Sequence, residues 1–479
     1  MKTIMPVRII LMNIIALGLV TSSTRGQSWQ QCSSLPEPMA PSAVAVNGTI
    51  YAVKGSDFYS ASLTEPSSMY EYDPGVNVWT KKGSMNTMRT NFGMIELNGK
   101  IYVLGGISNN TYAAFVTLAD VEAYDISTGL WQLKRSMPKS LYVFGLVSMD
   151  GKIYVIGGNS KTTNNGSRLD STSNRLFEYT PETDTWTERA SMQKQRSWSD
   201  AVAINHKIYA IGGNNGIPLS GENTIEEFDP ASNMWTMKTA FTNGFDGQCQ
   251  AVAMNGKIYT LSSDITSSGA FTKAVIGEYD PALGTWIEKS QMLSPVMDFG
   301  KVVYHDQLYL VGGHPVTAMN YSNKVFKYDP ATNSQASLPN ISQWRNAVVE
   351  TGGIIYAIGG VNSSGAFYNR VMKYNTINDP TSVQQPQGKP ESFRLDQNYP
   401  NPFNPETSIR WEVPVGTHVT LRVSDALGRS IMTLVDEYKS PGTYCTSFSA
   451  NPLSLASGVY FYTLAAGNSS QTRKMMFMK

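Results

Sequence analysis

The chain has 479 residues, a net charge of +1 and a pI near 7.6, with 16% charged residues. That balance offers no electrostatic footprint for nucleic acid. The three cysteines, Cys32, Cys249 and Cys445, are too few and too scattered for a disulfide framework, and no Cys/His spacing suits a metal.

Residues 1–26 read as a secretory signal peptide. Lys2 and Arg8 precede a short apolar run over 9–20, and Thr21-Ser22-Ser23 supplies small residues for cleavage. The run is shorter than the roughly 20 residues that span a bilayer, so no stable membrane span is expected. Export leaves a Cys32–Cys249 bridge open, although buried free thiols are the expected state.

From there the chain is organised around one repeated phrase, clearest in Gly151-Lys-Ile-Tyr-Val-Ile-Gly-Gly158. An apolar, β-branched run enters a turn where only residues without a side chain fit. Seven copies are marked by Tyr51, Tyr102, Tyr154, Tyr209, Tyr259, Tyr309 and Tyr356, at steps of 51, 52, 55, 50, 50 and 47 residues. Each unit has the same order. An Ala/Val/Met-rich strand precedes the Ile-Tyr strand, and a variable Ser/Asn/Gly-rich loop follows. A third strand often ends Tyr-Asp-Pro or Phe-Asp-Pro, and an outer strand carries Trp79, Trp131, Trp186, Trp235 or Trp286. A period of about 50 residues with four short strands predicts a seven-bladed β-propeller over 27–380. The tyrosines and tryptophans are expected to fill the wedges between sheets.

The glycine doublet, the aromatic that follows it and the spaced tryptophan together resemble kelch repeats. Three places depart from the pattern: Lys54-Gly55, Ser262-Ser263, and Gln335 where blade six should carry its tryptophan. Phase predicts how the ring closes. An outer tryptophan usually stands 23 residues before the next repeat tyrosine, and Trp29 stands 22 before Tyr51. Trp29 is therefore an outer-strand residue without inner strands ahead of it. The last repeat, around Tyr374, lacks a tryptophan after it, so the N-terminal strand should complete blade seven and leave no open edge.

Residues 381–397 are polar, proline-bearing and aperiodic, and read as a linker. Alternating strands over 398–479 predict a small Ig-like β-sandwich. Asn398-Tyr-Pro-Asn-Pro-Phe-Asn-Pro405, Asp425-Ala-Leu-Gly428, Leu455-Ala-Ser-Gly-Val-Tyr-Phe-Tyr462 and the basic ending from Arg473-Lys474 to Lys479 resemble the C-terminal sorting domain of type IX secretion cargo. The resemblance implies the type IX machinery as a partner of 398–479. It also implies a secreted or outer-membrane-surface location in a Gram-negative, Bacteroidetes-like bacterium.

Loops between second and third strands, and those leading into each innermost strand, share one face of a propeller, its usual ligand mouth. Arg89 and Arg196 each stand 13 residues before a repeat tyrosine, and Asp246 shares that phase in blade five. Kelch proteins that bind peptides use arginines at similar positions, so the resemblance makes these two candidate ligand contacts. Arginine's fork of donors suits carboxylates and phosphates. The competing reading pairs each arginine with a neighbouring blade's carboxylate. Trp198 and Trp344 lie outside the outer-strand series, each three residues before an alanine, Ala201 and Ala347. They are candidate stacking platforms, with packing at the blade tops as the rival. Asp298, His314 and Arg345 complete the candidate rim.

Two enzymatic readings were weighed against the residues. Copper-radical chemistry, as in galactose oxidase relatives, needs two histidines and two tyrosines on one metal. His206 and His305 fall on the opposite face, and His418 is in the tail, which leaves His314 alone. A sugar epimerase or lyase needs a general acid and base, and no motif fixes them here. The sequence thus points to a binding protein for an extracellular glycan or surface protein, with no catalytic residues, cofactor or metal assigned. A structural spacer in a surface assembly is the remaining alternative. The variable loops 107–118, 159–173 and 262–272 on constant strands are where specificity would arise.

Overall fold

A computed structural model describes residues 28–376 apart from 56–66, 109–115, 165–166, 217–220, 241–248, 266–270, 294–295, 298, 316–322, 342 and 362–365. It also describes 392–478 apart from 399–400, 440–441, 451–454 and 468. The expected signal peptide and residues 381–391 of the expected linker lie outside these residues. The chain divides into two compact units, Met1–Asp379 and Pro380–Lys479. No helix among the described residues is long and apolar enough to cross a membrane.

The first unit is a ring of seven four-stranded antiparallel sheets. Blade four is typical, with strands Asp200–Ile204, Lys207–Ile211, Thr224–Asp229 and Met234–Ala240 from the axis outward. Its second strand is buried along its length after Lys207, as expected for a strand covered on both faces. Blade seven takes Ala347–Thr351, Ile354–Ile358 and Val371–Asn375 from the end of the ring and Gln30–Gln31 from its beginning. Gln30 pairs with Lys373 and Gln31 with Met372, and the Trp29 ring lies 5.4 Å from that of Tyr374. The closure expected from phase is present.

Adjacent blades are joined by the aromatic residues that mark the repeat. The second-strand tyrosine of one blade meets the third-strand tyrosine of the next. Tyr102 lies 6.0 Å from Tyr179, Tyr209 6.0 Å from Tyr279, and Tyr356 closes the ring 5.8 Å from Tyr72. Trp29, Trp79, Trp186 and Trp235 reach backwards, whereas Trp286 donates to Thr260 of its own blade. Trp186 Nε1 donates to Arg135 O at 2.8 Å, Trp235 to Ala190 O at 2.7 Å, and Trp29 to Pro339 O at 2.8 Å. Gln335, the departure in blade six, does the same with its amide and donates to Gln291 O at 2.7 Å. The position is held by what it must donate to, so glutamine can stand in for indole.

The glycine doublets are a steric requirement at these same joints. Gly157 has φ +66°, and a Cβ there would sit 2.3 Å from Arg196 O of the next blade. Its neighbour Gly158 donates its N–H to that same carbonyl at 2.7 Å. A side chain would both strain the backbone and push the blades apart.

The second unit is a two-sheet β-sandwich. One sheet holds Arg394–Leu395, Glu406–Val413 and Gly442–Ser449. The other runs Ser430–Lys439, Thr417–Asp425, Gly458–Ala466, Ser469–Phe477. Val419, Leu421 and Val423 point inward against Trp411, Tyr462 and Phe477, while His418 and Arg422 point outward. The asparagine- and proline-rich motif holds the last strand in place. Phe403 donates its N–H to Met476 O and accepts from Met478 N, and Asn401 Oδ1 takes Met476 N at 2.8 Å.

Candidate ligand-binding mouth

Each blade's outer strand hands over to the next blade through a segment leading into the innermost strand. In blade four this segment is Arg196-Ser-Trp-Ser199. Ser197 exchanges both backbone bonds with Asn214, just past the Gly212-Gly213 doublet. Tyr142 bridges to Asn159 and Trp344 to Val361 in the same way. The residue that follows is left-handed in each case: Val143 at φ 49°, Trp198 at 54° and Arg345 at 49°, with Asn91 at 51° in blade two. Asparagine tolerates this region, but a β-branched valine and a tryptophan do not adopt it without cost. Backbone bonds hold the segment there, since Trp198 N donates to Val143 O of the preceding blade at 2.9 Å.

The structure removes Arg89 and Arg196 from the mouth. Both are 0% exposed. Arg89 Nη2 donates to Glu122 Oε1 at 2.7 Å and Nη1 to Asp120 O at 2.8 Å. Arg196 Nη2 donates to Glu226 Oε1 at 2.9 Å and to Thr224 Oγ1 at 2.6 Å, while Nη1 donates to Gly212 O at 2.7 Å. The carboxylates belong to the arginine's own blade, not to a neighbour's. They also accept backbone N–H groups of the lead-in segment, as Glu226 does from Gln193 at 2.7 Å. Burial lowers the Arg89 pKa, while Glu122 and Asp120 oppose that shift. These arginines bolt the lead-in segment to the sheet, and a ligand would have to displace a buried ion pair to reach them.

Trp198 and Trp344 do not share a position, as the sequence reading had them. Counted to the repeat tyrosine, Trp198 and Arg345 each stand 11 residues back and Trp344 stands 12. Trp344 is 8% exposed, and the Arg345 guanidinium lies over its ring at 4.8 Å. Trp198 is 39% exposed, the one exposed tryptophan among the described residues. Asp246 and Asp298 lie outside the described residues. The His314 backbone pairs with Met297 in a two-residue strand, and its side chain is outside what is described.

The structure adds one contact that the sequence reading missed. Asp200 of blade four forms an ion pair with Lys301 of blade six. Asp200 Oδ2 accepts Ala251 N at 2.9 Å, and Lys301 Nζ donates to Ala251 O at 2.8 Å, so blade five is clasped between them. Asp200 is the first and Lys301 the second residue of their innermost strands, at the same end as Trp198. Cys32 and Cys249 are buried free thiols, the state expected above, and the alternative bridge between them is absent. Among the described residues no group of three or more His, Cys, Asp or Glu side chains could hold a metal ion.

Comparison with known proteins agrees with this architecture. Residues 19–221 match the Attractin/LZTR1 beta-propeller, 295–342 the Kelch motif, and 397–478 the secretion system C-terminal sorting domain. Kelch-like protein 36 of Rattus norvegicus is 27% identical over 269 residues, covering 55% of this chain and 42% of the relative. A putative F-box/kelch-repeat protein of Arabidopsis thaliana is 31% identical over 184 residues, covering 38% and 46%. The chain thus spans less than half the length of these relatives. A solved fungal alcohol oxidase in complex with copper superposes with a TM-score of 0.59 over 95% of this chain and 100% of that one. At 14% identity this likeness concerns the fold alone. The fold and the matched motifs define a kelch-type β-propeller. Its sorting domain makes this chain type IX secretion cargo, secreted or displayed at the cell surface.

Proposed function

We propose that the propeller is an extracellular binding module whose ligand, a glycan or a surface protein, seats on the mouth formed by the lead-in segments. The observation that carries this is Trp198. It is bulky, left-handed and 39% exposed. A fully buried indole would recover that strain in contact area, whereas this one leaves 39% of its surface in solvent. An exposed aromatic held rigidly at the end of a scaffold is a preorganised contact surface. The test is to probe the full chain against arrays of glycans and of bacterial and host surface proteins. Hits should weaken strongly in Trp198→Ala and persist in Met234→Ala, an exposed outer-strand control. Silence on both arrays would leave the ring as a structural spacer.

A further inference from the structure

The charge pattern at the mouth sharpens that reading, on which this inference rests. Three cations of the lead-in segments and innermost strands are already matched. Arg89 is spent on Glu122, Arg196 on Glu226, and Lys301 on Asp200. Arg345, the cation at the Trp198 phase, lies over an indole. The stretches of the propeller outside the described residues contain no Lys or Arg in their sequence, and they carry Asp57, Glu65, Asp246 and Asp298. At these positions an incoming carboxylate, sulfate or phosphate would have to break an existing ion pair or draw Arg345 from the Trp344 ring.

What the lead-in segments hold in excess is neutral hydrogen-bonding capacity. Ser199 Oγ, Gln250 Oε1, Gln343 Oε1 and both amide atoms of Asn346 are buried and unpartnered among the described residues. Ser199 directly follows Trp198, and Asn346 holds the same phase in blade seven. Ser199, Gln343 and Asn346 are 9%, 2% and 7% exposed. Neutral amides and hydroxyls left without partners are satisfied by water or by groups that both donate and accept. Sugar hydroxyls do both, and the apolar C–H face of a pyranose suits a flat, exposed indole.

We propose that the mouth takes a neutral, polyhydroxylated glycan that stacks on Trp198 and whose hydroxyls, directly or through water, satisfy the Ser199, Gln250 and Asn346 groups as the lead-in segments adjust around it.

The experiment titrates the full chain with neutral oligosaccharides from glucan, mannan, galactan and xylan. A matched panel of uronate-bearing and sulfated oligosaccharides and a set of acidic peptides run alongside. Binding to a neutral sugar is expected to perturb tryptophan fluorescence and to be unchanged between low and high salt, since no ion pair forms. It should weaken about tenfold or more in Trp198→Ala, and also in Asn346→Leu, with both variants keeping the wild-type unfolding midpoint to show that they fold. Binding confined to acidic sugars or peptides, steeply salt-dependent and lost in Arg345→Ala, overturns the neutral glycan but leaves the mouth as the binding face. Neutral-sugar binding that Trp198→Ala leaves intact overturns the mouth itself. Absence of binding across all three panels overturns the neutral glycan, and silence on the surface-protein array as well overturns the mouth.

Discussion

In blade two the lead-in segment is fastened by Arg89 against Glu122; in blade three the same two positions hold Leu141 and Phe177. Strand register makes the correspondence, since Glu122 pairs opposite Val103 and Phe177 opposite Val155. Leu141 and Phe177 are 0% and 1% exposed and share one apolar cluster. Blade four repeats the ionic version with Arg196 and Glu226, whereas blade seven has Gln343 and Met372. Arginine occurs where the third strand offers a glutamate and is absent where it offers a hydrophobe. The joint accepts either chemistry, provided both halves agree. The arginines are therefore framework, and the mouth must be sought one to four residues further along.

The largest effect expected from this comparison comes from breaking one half of an ionic joint. Glu226→Ala strands a buried guanidinium and should cost about 3–5 kcal/mol by chemical denaturation. Arg89→Leu alone should behave similarly. The double variant Arg89→Leu with Glu122→Phe, which transplants the blade-three pair, should recover most of that loss. If the double variant is as unstable as the single, the two joints are not equivalent.

A second break is made with acid. Burial would raise Glu178, Glu227 and Glu278, but hydrogen bonds from their lysine, arginine and tyrosine neighbours outweigh it, and all three lie below the usual 4.5. A depressed carboxylate stabilises the fold above its unfolded value and loses that contribution as pH falls through its folded one. Stability should therefore decline as pH drops below about 4.5, and Glu278→Gln should flatten the decline. At the alkaline end Tyr102 and Tyr328 are pushed up to about 12 by burial. Unfolded tyrosine ionises first, near 10, so stability should fall again above that pH.

Smaller, and opposite in sign, is the expected effect at the mouth. Trp198→Gly relieves a left-handed side chain and should stabilise the propeller by about 1 kcal/mol while weakening ligand binding. A loss of stability there would mean that the indole serves the framework after all. Smallest is Gln335→Trp, which restores the strap donor of other blades and should change stability by less than about 1 kcal/mol, because the amide already makes the bond.

Much of the fold was legible because a repeat prints its phase seven times. The 22-residue step from Trp29 to Tyr51 was enough to place Gln30–Gln31 beside Val371–Asn375. The mouth was less legible for two physical reasons. The partner of Arg89 lies 33 residues away in the chain, and burial of a charge depends on such a partner. The co-occurrence of Arg89 with Glu122, and of Arg196 with Glu226, nonetheless carried the signal. Trp344 was placed level with Trp198 by counting to the nearest alanine. Counting to the repeat tyrosine separates them by one residue, which in extended chain puts two side chains on opposite faces. The Asp200–Lys301 clasp joins residues 101 apart and left no trace in any local pattern.

The closure of blade seven sets an order of events in time. Gln30–Gln31 emerges first from any machinery that moves the chain from its N-terminus, yet its partner strand ends at Asn375. The ring cannot shut until more than three hundred residues have followed, which makes this the pairing of highest contact order in the domain and a slow one to form. Until then Gln30–Gln31 and, once it has formed, the outer edge of the last sheet stay unpaired and open to other chains. An exported propeller of this design depends on remaining shielded between its first strand's arrival and its last strand's docking. Truncation anywhere within Val371–Asn375 should leave a ring that aggregates rather than one that is merely less stable.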